Sequence, residues 1–367
     1  MKKIVFGITD LNLGGAERVL VDISNELINK YDVTIFTLYG NGKFEKQLNK
    51  KVKLVSIYNK SYKELNIITK KIISIKLLNK TLRNKLYKKY IKDKYDVEIA
   101  FLEGPITWLF SEKSKIRKIA WIHNDIENVF GNNKKAKIKQ ILNKEIYLKF
   151  NELIFVSQDN LNKFKTYFKT NNIKKRVIYN YLDYKQVINK SINNEEVEID
   201  KNELSFIQVS RLVKQKAVDR LIDVHKKLID NGFKHNIYIV GDGPLHKELQ
   251  NKIDKLGIEK SFILLGSKEN PYPYIKAADY FLLTSYYEGY PMVLLEGRAL
   301  NKYIIITDSA ARETIMDYDN KLILENNEKG IYEGIKSIIE KRPKCKKSNK
   351  DTNKKIIEEI INVIEGD

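Results

Sequence analysis

Residues 280–300 read Tyr280-Phe-Leu-Leu-Thr-Ser-Tyr-Tyr-Glu-Gly-Tyr-Pro-Met-Val-Leu-Leu-Glu-Gly-Arg-Ala-Leu300. Tyr280 to Ser285 opens as a short apolar run, the pattern of a parallel strand covered on both faces. A turn through Gly289 follows. Pro291 suits the first position of a helix, where no N–H is needed, and the helix is expected to run from Pro291 to Leu300. Strand, turn and helix in this order make half of a right-handed βαβ unit.

The same alternation recurs along the chain. Lys3–Ile8, Asp32–Leu38, Val97–Leu102, Lys118–Ile122 and Glu152–Ser157 read as strands in the first half. Leu204–Ser210, Asn236–Gly241, Phe262–Leu265, Tyr280–Thr284 and Tyr303–Thr307 read as strands in the second. Helical stretches separate them. Between the halves, Tyr184 to Asn202 is polar and reads as a linker. The expected fold is α/β, two Rossmann-like domains with parallel sheets facing a central cleft. Residues 1–184 form the acceptor-side domain and 185–345 the donor domain. Residues 346–367 form a polar tail and a terminal helix, periodic from Lys355 to Ile364, placed to pack back on the first domain.

Composition narrows the function. One cysteine among 367 residues, Cys345, rules out a disulfide framework and suits a reducing cytoplasm. No run is apolar for long enough to span a bilayer. The first ten residues are too short an apolar run for a signal peptide and are broken by Asp10, so they read as a buried strand. The net charge of +20 is uneven: Lys43 to Lys94 holds 17 basic residues against 3 acidic ones. Attraction to anionic lipid and a lysine-rich solvated surface both account for this. Nucleic acid fits poorly, because the basic residues are mostly Lys and no recognition motif is present.

Five constellations lie where an open α/β sheet binds its ligands, beyond the carboxyl ends of strands. In the first, the free N–H groups of Met292 and Val293, with Tyr290 and Pro291 leading in, form an anion site at a helix start. Glu288 and Glu296 stand on either side of it, each able to accept two bonds from vicinal hydroxyls. A capping Glu and a solvent-facing Glu would give the same spacing. In the second, Arg211 and Lys216 follow a strand end, a fork and a point charge suited to a diphosphate. Surface basic residues of a lysine-rich protein are the bland alternative. The third is the turn Gly241-Asp-Gly-Pro244, which allows close backbone approach. The fourth is Asn12-Leu-Gly-Gly-Ala-Glu-Arg18, where Gly14 and Gly15 open conformations closed to other residues. It matches neither the dinucleotide fingerprint nor a Walker loop. The fifth is His123, at the end of Ile119-Ala-Trp-Ile-His123. No metal-ligand cluster and no Asp-x-Asp pair is present, so no metal and no cofactor is expected.

In order and spacing these residues resemble glycosyltransferase family 4, retaining enzymes of the GT-B fold, across essentially the whole chain. The carriers are Gly14 to Glu17, Val156-Ser157, Val177 to Asn180, Ser210 to Lys216, Val240 to Pro244, Ala277 to Asp279, and Ser285 to Pro291 with Glu296. The resemblance implies that Glu296 holds the donor ribose and Glu288 the donor sugar. It places Arg211 and Lys216 on the diphosphate, the Gly15 N–H on a donor phosphate, and His123 near the anomeric carbon and the acceptor. Two places depart from the pattern: Tyr181-Leu-Asp183 after Asn180, and Ala310-Ala-Arg-Glu313 where many members carry glycines.

The resulting expectation is a metal-independent, retaining hexosyltransferase. It moves a sugar from a nucleotide diphosphate sugar, with UDP favoured, to a lipid-linked or polysaccharide acceptor, as in capsule assembly. The stretch Leu65 to Leu78 mixes Lys with aliphatics and reads either as an amphipathic helix on an anionic membrane or as a core-facing helix with a basic outer face. The enzyme is placed in the cytoplasm, peripheral on the inner membrane face in the first case. A nucleotide-sugar epimerase or phosphorylase of the same fold, and a non-catalytic sugar-nucleotide-binding protein, are the alternatives.

Overall fold

A computed structural model describes residues 1–12, 14–123, 143–168, 170, 172–192, 197–346 and 353–367. The chain divides into two compact units, Met1–Tyr181 with Thr352–Asp367, and Leu182–Asp351. Parts of the expected linker and of the expected polar tail, residues 193–196 and 347–352, lie outside the described residues.

The first unit is built on β1 (Lys3–Ile8), β2 (Asp32–Tyr39), β3 (Lys53–Tyr58), β4 (Val97–Ala100), β5 (Arg117–Ile122), β6 (Glu152–Phe155) and β7 (Lys174–Val177). They form a seven-stranded sheet in the order β3-β2-β1-β4-β5-β6-β7, with every pairing parallel. Its described helices are α1 (Gly15–Leu27), α2 (Ile67–Leu78), α3 (Lys80–Tyr90), α4 (Pro105–Phe110) and α5 (Gln158–Tyr167). The second unit opens on α6 (Tyr184–Lys190). It carries β8 (Ser205–Val209), β9 (Asn236–Val240), β10 (Phe262–Gly266), β11 (Tyr280–Leu283), β12 (Tyr303–Thr307) and β13 (Lys321–Leu324). Their order, β10-β9-β8-β11-β12-β13, repeats the first sheet's pattern. Around it lie α7 (Val218–Asp230), α8 (His246–Leu256), α9 (Tyr272–Ala277), α10 (Met292–Ala299) and α11 (Glu328–Lys341).

Each sheet reverses strand order once, between β1 and β4 and between β8 and β11, and this switch point is where an open sheet takes a ligand. The central strands are buried on both faces, β4, β6, β9 and β11 completely. That burial is why apolar runs revealed them. The three strands absent from the sequence reading, β3, β7 and β13, are sheet edges. Lys53-Leu-Val-Ser-Ile-Tyr58 and Lys174-Lys-Arg-Val177 are at most half-buried, and β13 buries only Leu324. An edge strand leaves one side in water and needs no continuous apolar run.

Two further expectations shift. Tyr184–Lys190, taken as linker, is the helix α6, started by Asp183, whose Oδ1 accepts from the Gln186 N–H at 2.9 Å. Pro291 is the residue before helix α10 rather than its first member, with extended ψ of 120°. The terminal helix is α12 (Asn353–Glu365), and it completes the first unit. Ile360, Val363 and Ile364 are fully buried. Tyr31 Oη donates to Glu365 at 2.6 Å, and Arg117 Nε to the Val363 carbonyl at 3.0 Å.

A buried polar chain holds the amino edge of the second sheet. His225 Nδ1 and His235 Nε2 lie 2.9 Å apart, His225 Nε2 is 2.8 Å from Ser261 Oγ, and His235 Nδ1 bonds the Phe233 carbonyl at 2.8 Å. Burial, and for His225 its neighbour His235, push the two pKa values down to about 2 and about 4. Both rings are therefore neutral when folded, while the unfolded chain takes up protons below pH 6.5. Stability is full above that value and is lost as pH falls from 6.5 towards 4. Each ring should contribute roughly 2 kcal/mol less at pH 5 than at pH 7. Urea denaturation across this range is expected to show the fall. His235→Gln, which keeps donor and acceptor without titrating, should reduce it by about half, leaving the share of His225.

Candidate active site

The residues expected to bind the donor gather where β8 and β11 run side by side, Phe206 opposite Tyr280 and Ile207 opposite Phe281. Parallel pairing sends both strands out at the same edge, so the loop after β8 meets the loop after β11. Lys216 lies in the turn Lys214–Lys216, and Ala217 beyond it adopts a left-handed conformation (φ 51°) that swings the chain into α7. Across the gap, Lys216 Nζ is 2.5 Å from Glu288 Oε1, and Ser285 Oγ donates to the same oxygen at 2.5 Å. Glu288 is 6% exposed. Its negative charge is thus held by one cation and one hydroxyl, both supplied by the strand ends.

The two loops are tied at several further points. Gln215 Nε2 donates to the Tyr287 carbonyl, and the Tyr286 N–H donates to the Gln215 carbonyl, each at 2.9 Å. Beneath them Gln208, fully buried in β8, accepts from the Thr284 N–H and hydroxyl, both at 3.2 Å. It donates in turn to Ser210 Oγ at 3.1 Å. Arg220 of α7 reaches the Thr284 carbonyl at 2.8 Å and stands 4.4 Å from the Tyr286 ring centre. Asn326 completes the brace, donating to the carbonyls of Tyr286 (2.9 Å) and Asp308 (3.1 Å) while its own Oδ1 accepts from Arg220 at 2.8 Å.

Arg211 lies on the same β8 loop as Lys216, exposed, with no side-chain bond to another described residue. Met292 and Val293 open α10, where first-turn N–H groups have no partner within the helix. Tyr290 and Pro291 lead into it, half-buried. Glu296, one turn on, is 9% exposed and accepts from Tyr272 Oη at 3.2 Å.

Gly241 ends β9 with φ of +141°, and a Cβ there would stand 1.9 Å from the Ser210 carbonyl oxygen. A Cβ at Gly243 would stand 2.5 Å from the Leu212 carbonyl oxygen. The close approach read from Gly-Asp-Gly is therefore to the loop that carries Arg211. These glycines shape the basic loop from behind.

Gly15 and His123 belong to the first unit. Gly15 is the first residue of α1, after Gly14 with φ of −167° and ψ of 160°. That is extended backbone open to any residue, and no positive φ occurs at either glycine. The conformational reason expected for this pair does not hold. A Cβ at Gly14 would meet only the Glu17 carboxylate, at 2.0 Å, the end of a flexible side chain that can turn aside. His123 ends β5, its ring 4.7 Å from that of Phe101. Burial pushes its pKa down to about 3, against the pull of a bond to the Phe101 backbone, so the ring is neutral near pH 7. Its Nε2 is inaccessible and has no partner among the described residues. Also at the carboxyl edge of this sheet is a cavity of about 440 Å³ lined by Asp10, Tyr39, Tyr62, Trp108, Leu77 and Leu78 among others. His123 is not one of its lining residues.

Two family profiles match in tandem. One described as Glycosyltransferase Family 4 matches residues 13–186, and one described as Glycosyl transferases group 1 matches residues 189–355. The chain belongs to the family 4 glycosyltransferases.

Relatives of this glycosyltransferase agree. It is 25% identical to an N-acetylgalactosaminyltransferase of Campylobacter jejuni, named for its N-acetylgalactosamine-N,N'-diacetylbacillosaminyl-diphospho-undecaprenol acceptor, over 98% of this chain and 97% of that one. An uncharacterized glycosyltransferase of Methanocaldococcus jannaschii is 27% identical over 54% of this chain, which spans only half of that relative's length. Among solved structures, that of Anabaena Alr3699/HepE in complex with UDP and glucose superposes with a TM-score of 0.76 at 17% identity, covering all of both chains. At that identity the likeness concerns the fold, two Rossmann-like domains of the GT-B kind.

Reading the sequence of the glycosyltransferase missed Gln208, Ser285, Gln215, Arg220, Asn326 and Tyr272. Only Gln208 carried a signal, a lone amide inside the apolar strand Phe206-Ile-Gln-Val209. The others are set by contacts between segments far apart in sequence.

Removing the Lys216 amine strands a buried carboxylate. Lys216→Ala should lower stability by about 3 kcal/mol. Glu288→Gln added to that variant should restore most of it, because the charge that needed a partner is gone. Denaturation of the two singles and the double checks this, and additive losses would contradict it.

Proposed function

We propose that the chain transfers a hexose-type sugar from a nucleotide diphosphate donor, UDP favoured, to a lipid-linked saccharide, with retention at the anomeric carbon and without a metal ion. It would act in surface-polysaccharide assembly. The observation that carries the proposal is the Lys216–Glu288 pair at the switch point of the second sheet, beside the start of the helix that bears Glu296.

The roles follow from charge and position. Arg211 and Lys216 offset the charge that builds on the departing diphosphate, assisted by the N–H groups of Met292 and Val293. Tyr290, Pro291 and Gly241 shape the backbone around that anion. Glu296 accepts the ribose hydroxyls, and Glu288 accepts from hydroxyls of the donor sugar while steadying Lys216. His123, neutral, offers one hydrogen bond to the acceptor and carries no charge. No side chain is assigned as a covalent nucleophile. The acceptor oxygen bonds to the anomeric carbon on the face from which the diphosphate leaves, and the leaving oxygen takes the acceptor proton. Positioning and charge stabilisation then supply the rate.

The donor reading is supported by the UDP bound in the Anabaena structure, and the acceptor reading by the diphospho-undecaprenol in the name of the Campylobacter relative.

Thermal melting against a panel of nucleotide sugars should show a UDP-sugar raising the midpoint. Arg211→Ala and Glu296→Ala should each weaken that donor by roughly tenfold or more. Glu288→Gln should cut turnover by about 100-fold. Turnover should persist in excess chelator, and NMR of the product should show the donor's anomeric configuration. An inverted product would exclude this route, and donor consumption without any acceptor would point to an epimerase.

A further inference from the structure

The helix α2 carries apolar side chains on two opposite faces. Ile73 and Leu77 are buried in the first unit's core at 3% and 4% exposure. Facing away are Ile67 (71% exposed), Ile68 (70%), Ile72 (45%), Ile75 (58%) and Leu78 (64%). Ile67, Ile68 and Leu78 are more exposed than any other large apolar side chain among the described residues except Met1. Isolated exposed aliphatics need no explanation, but a contiguous set on one helix does.

Helical spacing puts Ile67, Lys71, Ile75 and Leu78 along one stripe, with Ile68 and Ile72 beside it. The helix is well formed despite this exposure. Asn66 accepts from the Thr69 N–H at 2.8 Å at its start, and Asn79 ends it and begins the next helix, accepting from the Leu82 N–H at 3.1 Å. Around the stripe the charge is predominantly positive, with exposed Glu64 beside Lys63 the acidic exception between Ser61 and Lys92. Lys63, Lys71, Lys80, Lys85, Lys88 and Lys89 are exposed, and Lys70 lies 4.6 Å from the Tyr62 ring centre.

We propose that α2 docks flat on an anionic bilayer, its isoleucine stripe entering the acyl boundary and its lysines, with those of α3, meeting the headgroup phosphates. Charge selects this occupant. A second copy of the chain would bring lysine against lysine around the apolar stripe, whereas an anionic leaflet satisfies both features together. Position agrees with it. Leu78 belongs to the exposed set and also lines the cavity at the carboxyl edge of the first sheet. The apolar face therefore runs up to a cavity whose walls include Asp10, Tyr39, Tyr62 and Trp108, side chains that suit a saccharide. The inference rests in part on the lipid-linked acceptor proposed above, because an enzyme for such an acceptor works at the bilayer surface.

The test is sedimentation of the full chain with vesicles of phosphatidylcholine alone and of phosphatidylcholine mixed with phosphatidylglycerol. The chain should bind the mixed vesicles, less as salt rises, and bind the neutral ones far more weakly. Ile67→Glu combined with Ile75→Glu should reduce binding at least about tenfold, with the melting midpoint and donor binding unchanged, since both side chains lie in water. Failure of the wild-type chain to bind mixed vesicles would overturn the proposal. So would equal binding by the double variant, which would leave only diffuse attraction of a basic protein. A wild-type dimer that becomes a monomer in the double variant would assign the face to a second copy instead. The acceptor reading fails separately: a chain that docks but does not use a diphospho-lipid acceptor keeps this inference and loses that one.

Discussion

The parallel pairing of β8 with β11 is the constraint on which the donor side depends. Two strands that run the same way leave the sheet at the same edge, so residues 72 positions apart, Lys216 and Glu288, meet as an ion pair. Neither charge could be buried alone without a large desolvation penalty. The pair, the Ser285 hydroxyl and the amides of Gln208, Gln215 and Asn326 satisfy one another and fix the loops around them. The rigidity is specific: it holds the carbonyls and charges of the site while leaving the Arg211 side chain exposed. A site of this kind can stabilise developing charge on a leaving group with little rearrangement.

The second organising feature is how each unit treats polar groups it buries. On the amino side of the second sheet, His225 and His235 are kept neutral and fully partnered, which is the signature of structure. At the carboxyl edge of the first sheet, His123 is neutral too, but its Nε2 has no partner among the described residues. A buried polar atom left unpaired costs free energy and calls for a reason, which the substrate contact proposed above would supply. The same contrast separates the faces of α2, one packed in the core, the other presenting aliphatics to water.

Much of this was legible in the residues. The alternation of apolar runs with helical stretches gave the fold class and located the central strands, because strands buried on both faces must be apolar throughout. Gly-Asp-Gly and the paired glutamates stood at strand ends, where a doubly wound sheet binds ligands. The edge strands β3, β7 and β13 were not legible, since an edge meets water on one side and carries lysines there. The conformational reason read for the glycines at 14 and 15 failed, because extended backbone makes no demand for glycine. The bracing roles of Ser285 and Asn326 were not legible, since a serine or asparagine in a loop reads the same whether it braces a site or faces solvent.

The sequence alone thus determined two Rossmann-like halves and the residue types able to hold a diphosphate and vicinal hydroxyls. Those properties live in local pattern, in periodicity and in the chemistry of single side chains. Tertiary structure alone decided which charges pair, which amides brace them, that Gly241 yields to the Ser210 carbonyl, and that five aliphatics of α2 point outward. Those depend on which segments the sheet order brings together and on what is left uncovered once the core is full, and neither is encoded within any one stretch of chain.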